Sequence, residues 1–556
     1  MHLRFAIAAV ILLAPGAAHA QDSEARTPSA ATAPAAAANA RAGTTLGAAT
    51  LTAALKDYLG PIPFDGGFVS IAPDPKGYRI TFGAKGAFTS ELPGGGSVST
   101  TLTPYSMIVS QRGDGNWQVD SDGAIAMSYD AEMSGQTTHV DYAINGLQMS
   151  GVYAPDIRAF LTATGKIDEI TMAQQQPTGE IAVKVGPQSF ETRAEPDAGG
   201  HVDYRLSQRA TGFTETIRMP LDPAAPDQRI DIVVNAGGYT LETQAAGLRT
   251  RPIADLFALL LRNADKDKIR AAEDDLKRLV GDSLPLWTSI GGENGMTDIS
   301  VETPYGSVKL ADFRIGVAGD GIVEDGSYRY SFASSGMTTD IAAIPAWSKP
   351  FIPRDVTMDV VGAGVDLATP MRILLANLDL SADKPVSDEA GQEILASFEA
   401  HRPTLRFENV KLAARDYELT MNGEVRFDAE KPETRFDIVA TGLDAALKAL
   451  QDAGAQDPAA LQGFAFGSMA KGFGKPLGDD KTGWLIETAA DGSVKINGVT
   501  IKGPDTPAPE APALAPETAP DAVPAPPAPE GGDDGSDGGS LDGDGDTGGD
   551  TGGQPL

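Results

Sequence analysis

Cysteine is absent from the 556 residues, which excludes disulfides, thiolate nucleophiles and zinc held by thiolates. Histidine is scarce. Five are present, and His2 and His19 fall in a segment read below as removed, leaving His139, His201 and His401. Three scattered rings are a poor inventory for catalysis or metal binding, and each lies in a strand-like or loop-like stretch where a solvated or hydrogen-bonded imidazole is the expected state. Bases are outnumbered, with 44 Lys and Arg against 76 Asp and Glu and a formal charge of −32. Such a balance repels phosphate, so nucleic acid is excluded as an expected partner. Long apolar runs are also missing. The longest, Phe5 to Leu13, is far short of the roughly 20 residues that span a bilayer.

Catalytic signatures are equally thin. No Gly-x-Ser-x-Gly elbow occurs, and no Ser-His-Asp set can be nominated from three histidines. Gly467 to Lys475 superficially suggests a phosphate loop but lacks the Gly-Lys-Ser/Thr order, so a glycine-rich loop is expected there. Gly316 to Gly321 lies between strand-like runs rather than opening a helix, which argues against a dinucleotide site. Asp542, Asp544 and Asp546 alternate like the start of a calcium loop. Thr547 then stands where that loop needs Gly, and Gly553 where it needs Glu, so diffuse attraction of cations by a charged tail is the expectation. No catalytic, cofactor-binding or metal-ligating residue is assigned.

What is present begins with an address. Arg4, the Phe5–Leu13 stretch and Ala18-His19-Ala20 read as a secretory signal over residues 1–20, cleaved between Ala20 and Gln21. The expected location is the periplasm, with no transmembrane segment left after cleavage. Residues 21–45 are Ala, Pro, Thr and Ser with almost no large apolar side chain, a linker that cannot offset its ordering entropy. Residues 504–556 are expected to be a disordered acidic tail. From Gly503 onward 11 Pro, 12 Gly and 12 acids occur with no Lys or Arg, first Pro/Ala-rich and then Gly/Asp-rich.

Between the ends, 41% apolar residues overall with 19 Phe, 12 Tyr and 4 Trp suffice for a sizeable core, in more than one structural unit. The dominant signal is period-two alternation in short runs: Tyr78-Ile80-Phe82, Val140-Tyr142-Ile144, Ile181-Val183-Val185, Val202-Tyr204-Leu206, Ile230-Ile232-Val234, Tyr328-Tyr330-Phe332, Val356-Met358-Val360, Tyr417-Leu419-Met421 and Val494-Ile496. Such runs predict half-buried antiparallel strands, with hairpin turns at Asn422-Gly423, Asp491-Gly492 and Asn497-Gly498. Helical stripes begin after Pro252, with Leu256, Phe257 and Leu260 expected to face the sheet, and at Thr369-Pro370. Shorter ones lie at Leu51–Leu59 and Leu443–Leu450. Pro252 to Pro285 and Pro370 to Pro403 are both intervals of 33 residues, each followed by a hairpin pattern, which suggests a repeat, with a weaker copy expected from Pro155. The reading divides the chain into a β-rich unit at 46–247 and a second unit at 248–503 with two helix-then-hairpin repeats.

The stretch Thr441-Gly442-Leu443-Asp444 through Gly454, then Trp484-Leu485-Ile486 and Asp491 to Ile501, ending Gly503-Pro504, resembles the C-terminal half of domain-of-unknown-function family 2125 of the Gram-negative envelope. Leu51 to Phe82 is similar to its longer members. The resemblance covers roughly 50–503 and implies fold and address only; a more distant likeness is to elongated lipid-handling envelope proteins. The expected fold is α+β: predominantly antiparallel sheet, elongated or curved, with a few amphipathic helices packed on one face. The expected role is a non-enzymatic binding or scaffold protein of the envelope, without cofactor. Lipid or an envelope protein is the candidate partner, and Phe257, Tyr328, Tyr330 and Phe332 are the candidate apolar ligand surface. The alternative is a carboxylate-dependent hydrolase of an envelope polymer.

Overall fold

The computed structural model describes residues 41–83, 88–91, 96–133, 135–222, 225–427 and 431–505. The signal segment with Ala20 and Gln21, residues 21–40 of the linker, the tail beyond Asp505 and the Asp542–Asp546 carboxylates lie outside the described residues. The fold is α+β and mostly sheet. The 25 strands among the described residues belong to one sheet, and the ladders are antiparallel. All nine alternating runs fall on or at the start of these strands.

From Trp117 onward the chain runs back and forth, most strands beside the one before it. Trp117–Met133 pairs with Gln136–Ala154, and that strand with Ala159–Ile167 and Glu169–Gln176 laid end to end. Gly179–Val185 and Gln188–Pro196 come next, then Val202–Asp222, Ala225–Leu248, Ser289–Thr303, Gly306–Asp320 and Gly326–Ser335. Asp355–Val365, Thr404–Ala413, Glu418–Arg426, Glu433–Thr441 and Lys481–Thr488 continue the order. The ladder between Ala225–Leu248 and Ser289–Thr303 carries the sheet through position 248 without a break. Among the described residues the edge strands, Val69–Asp74 and Phe88–Glu91 at one end and Lys475–Gly478 and Val499–Lys502 at the other, have no ladder joining the two ends. The sheet is therefore open.

Alternation gives this sheet one apolar and one polar face. On the polar face Glu180, Arg218 and Asp231 stand directly opposite one another on three strands. Arg218 donates to Asp231 at 3.0 Å and to Glu180 at 3.1 Å. On the apolar face lie Tyr142, Met172 and Val183, again directly opposite across their ladders.

Eight consecutive strand lines lose regular pairing at one level: at Gly146, Asp168, Gly186-Pro187, Gly212, Gly237, Asp298, Ala311 and Gly336. The irregular positions are neighbours. A side chain at Gly146 would meet Asp168, one at Gly186 the carbonyl of Thr211, one at Gly237 Asp298, and one at Gly336 Ala311. Gly146, Gly212, Asp298 and Gly336 have φ of 64, 79, 52 and 67°, the left-handed region that bulges use and glycine tolerates. Each crossing slips the alternation by one residue, so the apolar side chains stay on one face. Ile144 and Ile170 from one side of this crease pack with Leu147 and Ile167 from the other, in a cluster with Tyr105, Met107 and Phe190.

Helices are inserted between strands 225–248 and 289–303, 355–365 and 404–413, and 433–441 and 475–478. The first insertion holds Thr250–Arg262, Lys266–Ala271 and Glu273–Ser283, the second Ala368–Asn377 and Asp388–Ala400, the third Leu443–Gly454 and Pro458–Phe473. Both helical groups at the 33-residue intervals are thus followed by hairpins. Pro155 instead begins a turn between two strands. Asn422-Gly423 is not a turn either; it lies inside Glu418–Arg426, where the missing side chain of Gly423 makes room for the ring of Phe436. Gly467–Gly472 is helical rather than a loop. Asp491-Gly492 and Asn497-Gly498 do form turns.

The helix after Pro252 faces differently from its apolar stripe. Phe257 is 52% exposed, while Ala258 and Leu259 are buried at 1 and 4%. The reason is the partner it meets. Asp255 accepts from the Tyr58 hydroxyl at 2.8 Å and from Arg158 at 3.1 Å, and the Arg158 guanidinium lies 4.3 Å above the Tyr58 ring. These bonds tie the helix to Thr45–Leu59 and to the turn at Arg158, leaving Phe257 outside. Leu259→Ala is accordingly expected to cost about 2–5 kcal/mol and Phe257→Ala under about 1 kcal/mol in urea unfolding.

Candidate functional site

Tyr328, Tyr330 and Phe332 lie on Gly326–Ser335 and share the apolar face. Tyr330 stands between Val317 and Val360 on the flanking strands, and Phe332 between Ile315 and Met358. Gly319 and Gly362 flank Tyr328; a Cβ at Gly319 would come within 2.6 Å of the tyrosine ring, so that ring lies over bare backbone. Its hydroxyl donates to the Gly321 carbonyl at 2.8 Å. Burial raises the Tyr328 pKa, with the Asp320 charge adding to the rise. Phe332 meets Phe313 edge-on with ring centres 5.5 Å apart.

The same face continues strand by strand. Val360 stands opposite Phe407, Phe407 opposite Gly423, Gly423 opposite Phe436 and Phe436 opposite Ile486. The Phe407 and Phe436 rings are 5.8 Å apart. None of these large side chains, from Phe313 to Ile486, is buried; all keep part of their surface exposed, and Tyr330 reaches 39%. A sheet covered by a second layer would seal the residues at its centre. Here the whole apolar strip stays partly open. Phe257 is not part of it and sits on its helix.

Two cavities open on the polar face. One, of about 380 Å³, is lined by Asp203, Arg205, Gln244, Ser289, Asp320 and Arg329 among others. Its carboxylates hold backbone: Asp203 accepts from the Gly247 N–H at 2.9 Å and Asp320 from the Ser327 N–H at 2.8 Å. The other, about 550 Å³, is lined chiefly by Thr, Ala and Ser with Asp141 and Lys184. Among the described residues, the Asp and Glu side chains whose pKa is clearly displaced are displaced downward, by turn and cap contacts or by lysine partners. Ser381 lowers Asp379, Ser493 lowers Asp491, and Lys431 with Lys502 brings Asp505 to about 2. A general acid needs the opposite shift.

Each of the three histidines pairs with aspartate. His139 lies between Asp130 at 2.7 Å and Asp141 at 3.1 Å, His201 is 3.0 Å from Asp197, and His401 is 3.7 Å from Asp366. Hydrogen bonds to Asp130 and then Asp141 raise the His139 pKa above its ordinary 6.5. Because the folded value is the higher one, this pairing stabilises fully below the unfolded pKa and is lost as pH rises through the folded pKa. Asp130→Asn should move the His139 imidazole titration back toward 6.5, read by proton–nitrogen NMR. Among the described residues no group of three or more His, Cys, Asp or Glu is placed to hold a metal ion. No helix among them is long and apolar enough to cross a membrane.

No protein-family model, curated protein or solved structure matches the chain. The resemblance to family 2125 therefore rests on its motifs alone.

Proposed function

We propose that this chain is an exported, periplasmic envelope protein that binds an apolar component, lipid foremost, along the apolar face of its sheet. It acts as a non-enzymatic binding or scaffold protein. The observation that carries the reading is the strip from Phe313 to Ile486, where aromatic and aliphatic side chains on successive strands remain partly exposed. Acyl chains laid along it would replace water at about 0.8 kcal/mol per buried CH₂. Soluble proteins rarely leave a contiguous apolar face of that extent without a partner.

The test is binding of an environment-sensitive hydrophobic dye to the native protein at neutral pH. Fluorescence should rise on mixing and fall when phospholipid is added. A dye that stays dark in the presence of the folded protein would contradict the proposal.

A further inference from the structure

We propose that the apolar ligand carries a positively charged amine, which pairs with Glu215 on the apolar face of the sheet. The inference rests on the reading of that face as a ligand surface and names the chemical class of the ligand. Glu215 extends the row of Tyr142, Met172 and Val183, standing directly opposite Val183 on one side and Val234 on the other. Val234 is opposite Val301, and Val301 opposite Val308. On its own strand the neighbours that share its face are Phe213 and Ile217, opposite Val185 and Ile181. A carboxylate is thus ringed by apolar side chains.

No second charge accompanies it. The ladders assign a face to the strand residues from Trp117 to Thr488, and among those described Glu215 is the only Asp, Glu, Lys, Arg or His on the apolar one. The basic residues at flanking strand positions, Lys184 and Arg218, lie on the polar face, held there by Glu169 and by Glu180 with Asp231. Glu215 is half-buried, and among the described residues it has no hydrogen-bond or salt-bridge partner.

That charge selects the occupant. In the free protein the open face leaves the carboxylate in contact with water. An uncharged acyl chain laid over this row would strip the water and return nothing, and an ionised carboxylate buried without a partner is costly. An anionic group would add repulsion. An ammonium on the chain supplies the counter-charge and up to three N–H donors, while its hydrocarbon covers Val183, Val234, Phe213 and Ile217.

The experiment follows displacement of an uncharged environment-sensitive dye from the native protein at neutral pH. The competitors are dodecylammonium, uncharged dodecyl maltoside and ethylammonium, each below any micelle-forming concentration. Dodecylammonium should displace the dye at about tenfold lower concentration than the maltoside, and ethylammonium, which lacks the chain, should leave it bound. Glu215→Gln should erase the dodecylammonium advantage. Glu302→Gln, which removes an exposed carboxylate from the polar face of Ser289–Thr303, should keep it and so controls for the overall charge of −32. Glu215→Lys should turn the preference toward dodecanoate, and it serves as the test should the glutamine variant fail to fold. An advantage that survives both substitutions at Glu215, or displacement by ethylammonium, would overturn the proposal and leave the apolar face as a ligand surface. A dye that stays dark, or that neither dodecyl compound displaces, would end that reading and this inference with it.

Discussion

Deleting Gly212 should destabilise the protein by roughly 2–4.5 kcal/mol. Gly212 is the residue at which Val202–Asp222 crosses the crease, at φ 79°. Its removal shifts one half of the strand by a residue and exchanges that half's faces. Phe213, Ile217 and Met219 would turn to the polar side, and Arg218, now held by Glu180 and Asp231, would turn to the apolar one. A fully buried side chain of this kind contributes about 1.5–3 kcal/mol. These three are only partly buried, so the estimate uses about half of that for each. Gly212→Ala is the control. It keeps the count of residues and costs only the left-handed backbone, about 1–2 kcal/mol. Urea midpoints of the two variants separate the explanations: equal losses would mean that the slip carries no register information.

Tyr330→Asp should weaken binding of the hydrophobic dye, and of phospholipid that displaces it, by about tenfold or more. Tyr330 is the most exposed member of its strand's apolar set and stands between Val317 and Val360. A carboxylate there must either lose its water when an acyl chain lies over it or keep the chain away, and each tenfold corresponds to about 1.4 kcal/mol. Its stability should change little, because so much of the ring is already in water.

The class of fold was legible because half-buried strands write their two faces into the sequence as alternation, and every alternating run found there is on or beside a strand. The length of the strands was not. At Asn145-Gly146, Asp168, Gly186-Pro187 and Thr211-Gly212 the alternation slips on residues that also end strands, so one strand crossing a crease reads as two short ones. The single sheet follows from those crossings. Helix existence was legible from Pro252 and Pro370, but facing was not. Phe257 belongs to the stripe that periodicity favours, whereas the side turned inward is set by Tyr58 and Arg158, which reach Asp255 from 197 and 97 residues away. Glycine misled twice. Gly423 and Gly467 serve close approach, to Phe436 and to Leu447, where local chemistry alone suggested a turn and a loop. Tyr328, Tyr330 and Phe332 were found together because one alternating run carries all three; their neighbours Phe407 and Phe436 come from other strands and only the ladder joins them.

Native mass spectrometry of the protein purified from the cells that make it tests the central claim most directly. The proposed function predicts a population heavier than the polypeptide by the mass of one or more lipids or similar apolar molecules, and a Tyr330→Asp preparation in which that population is depleted. Bare polypeptide alone in the wild type, from a folded sample that also leaves the hydrophobic dye dark, would contradict it.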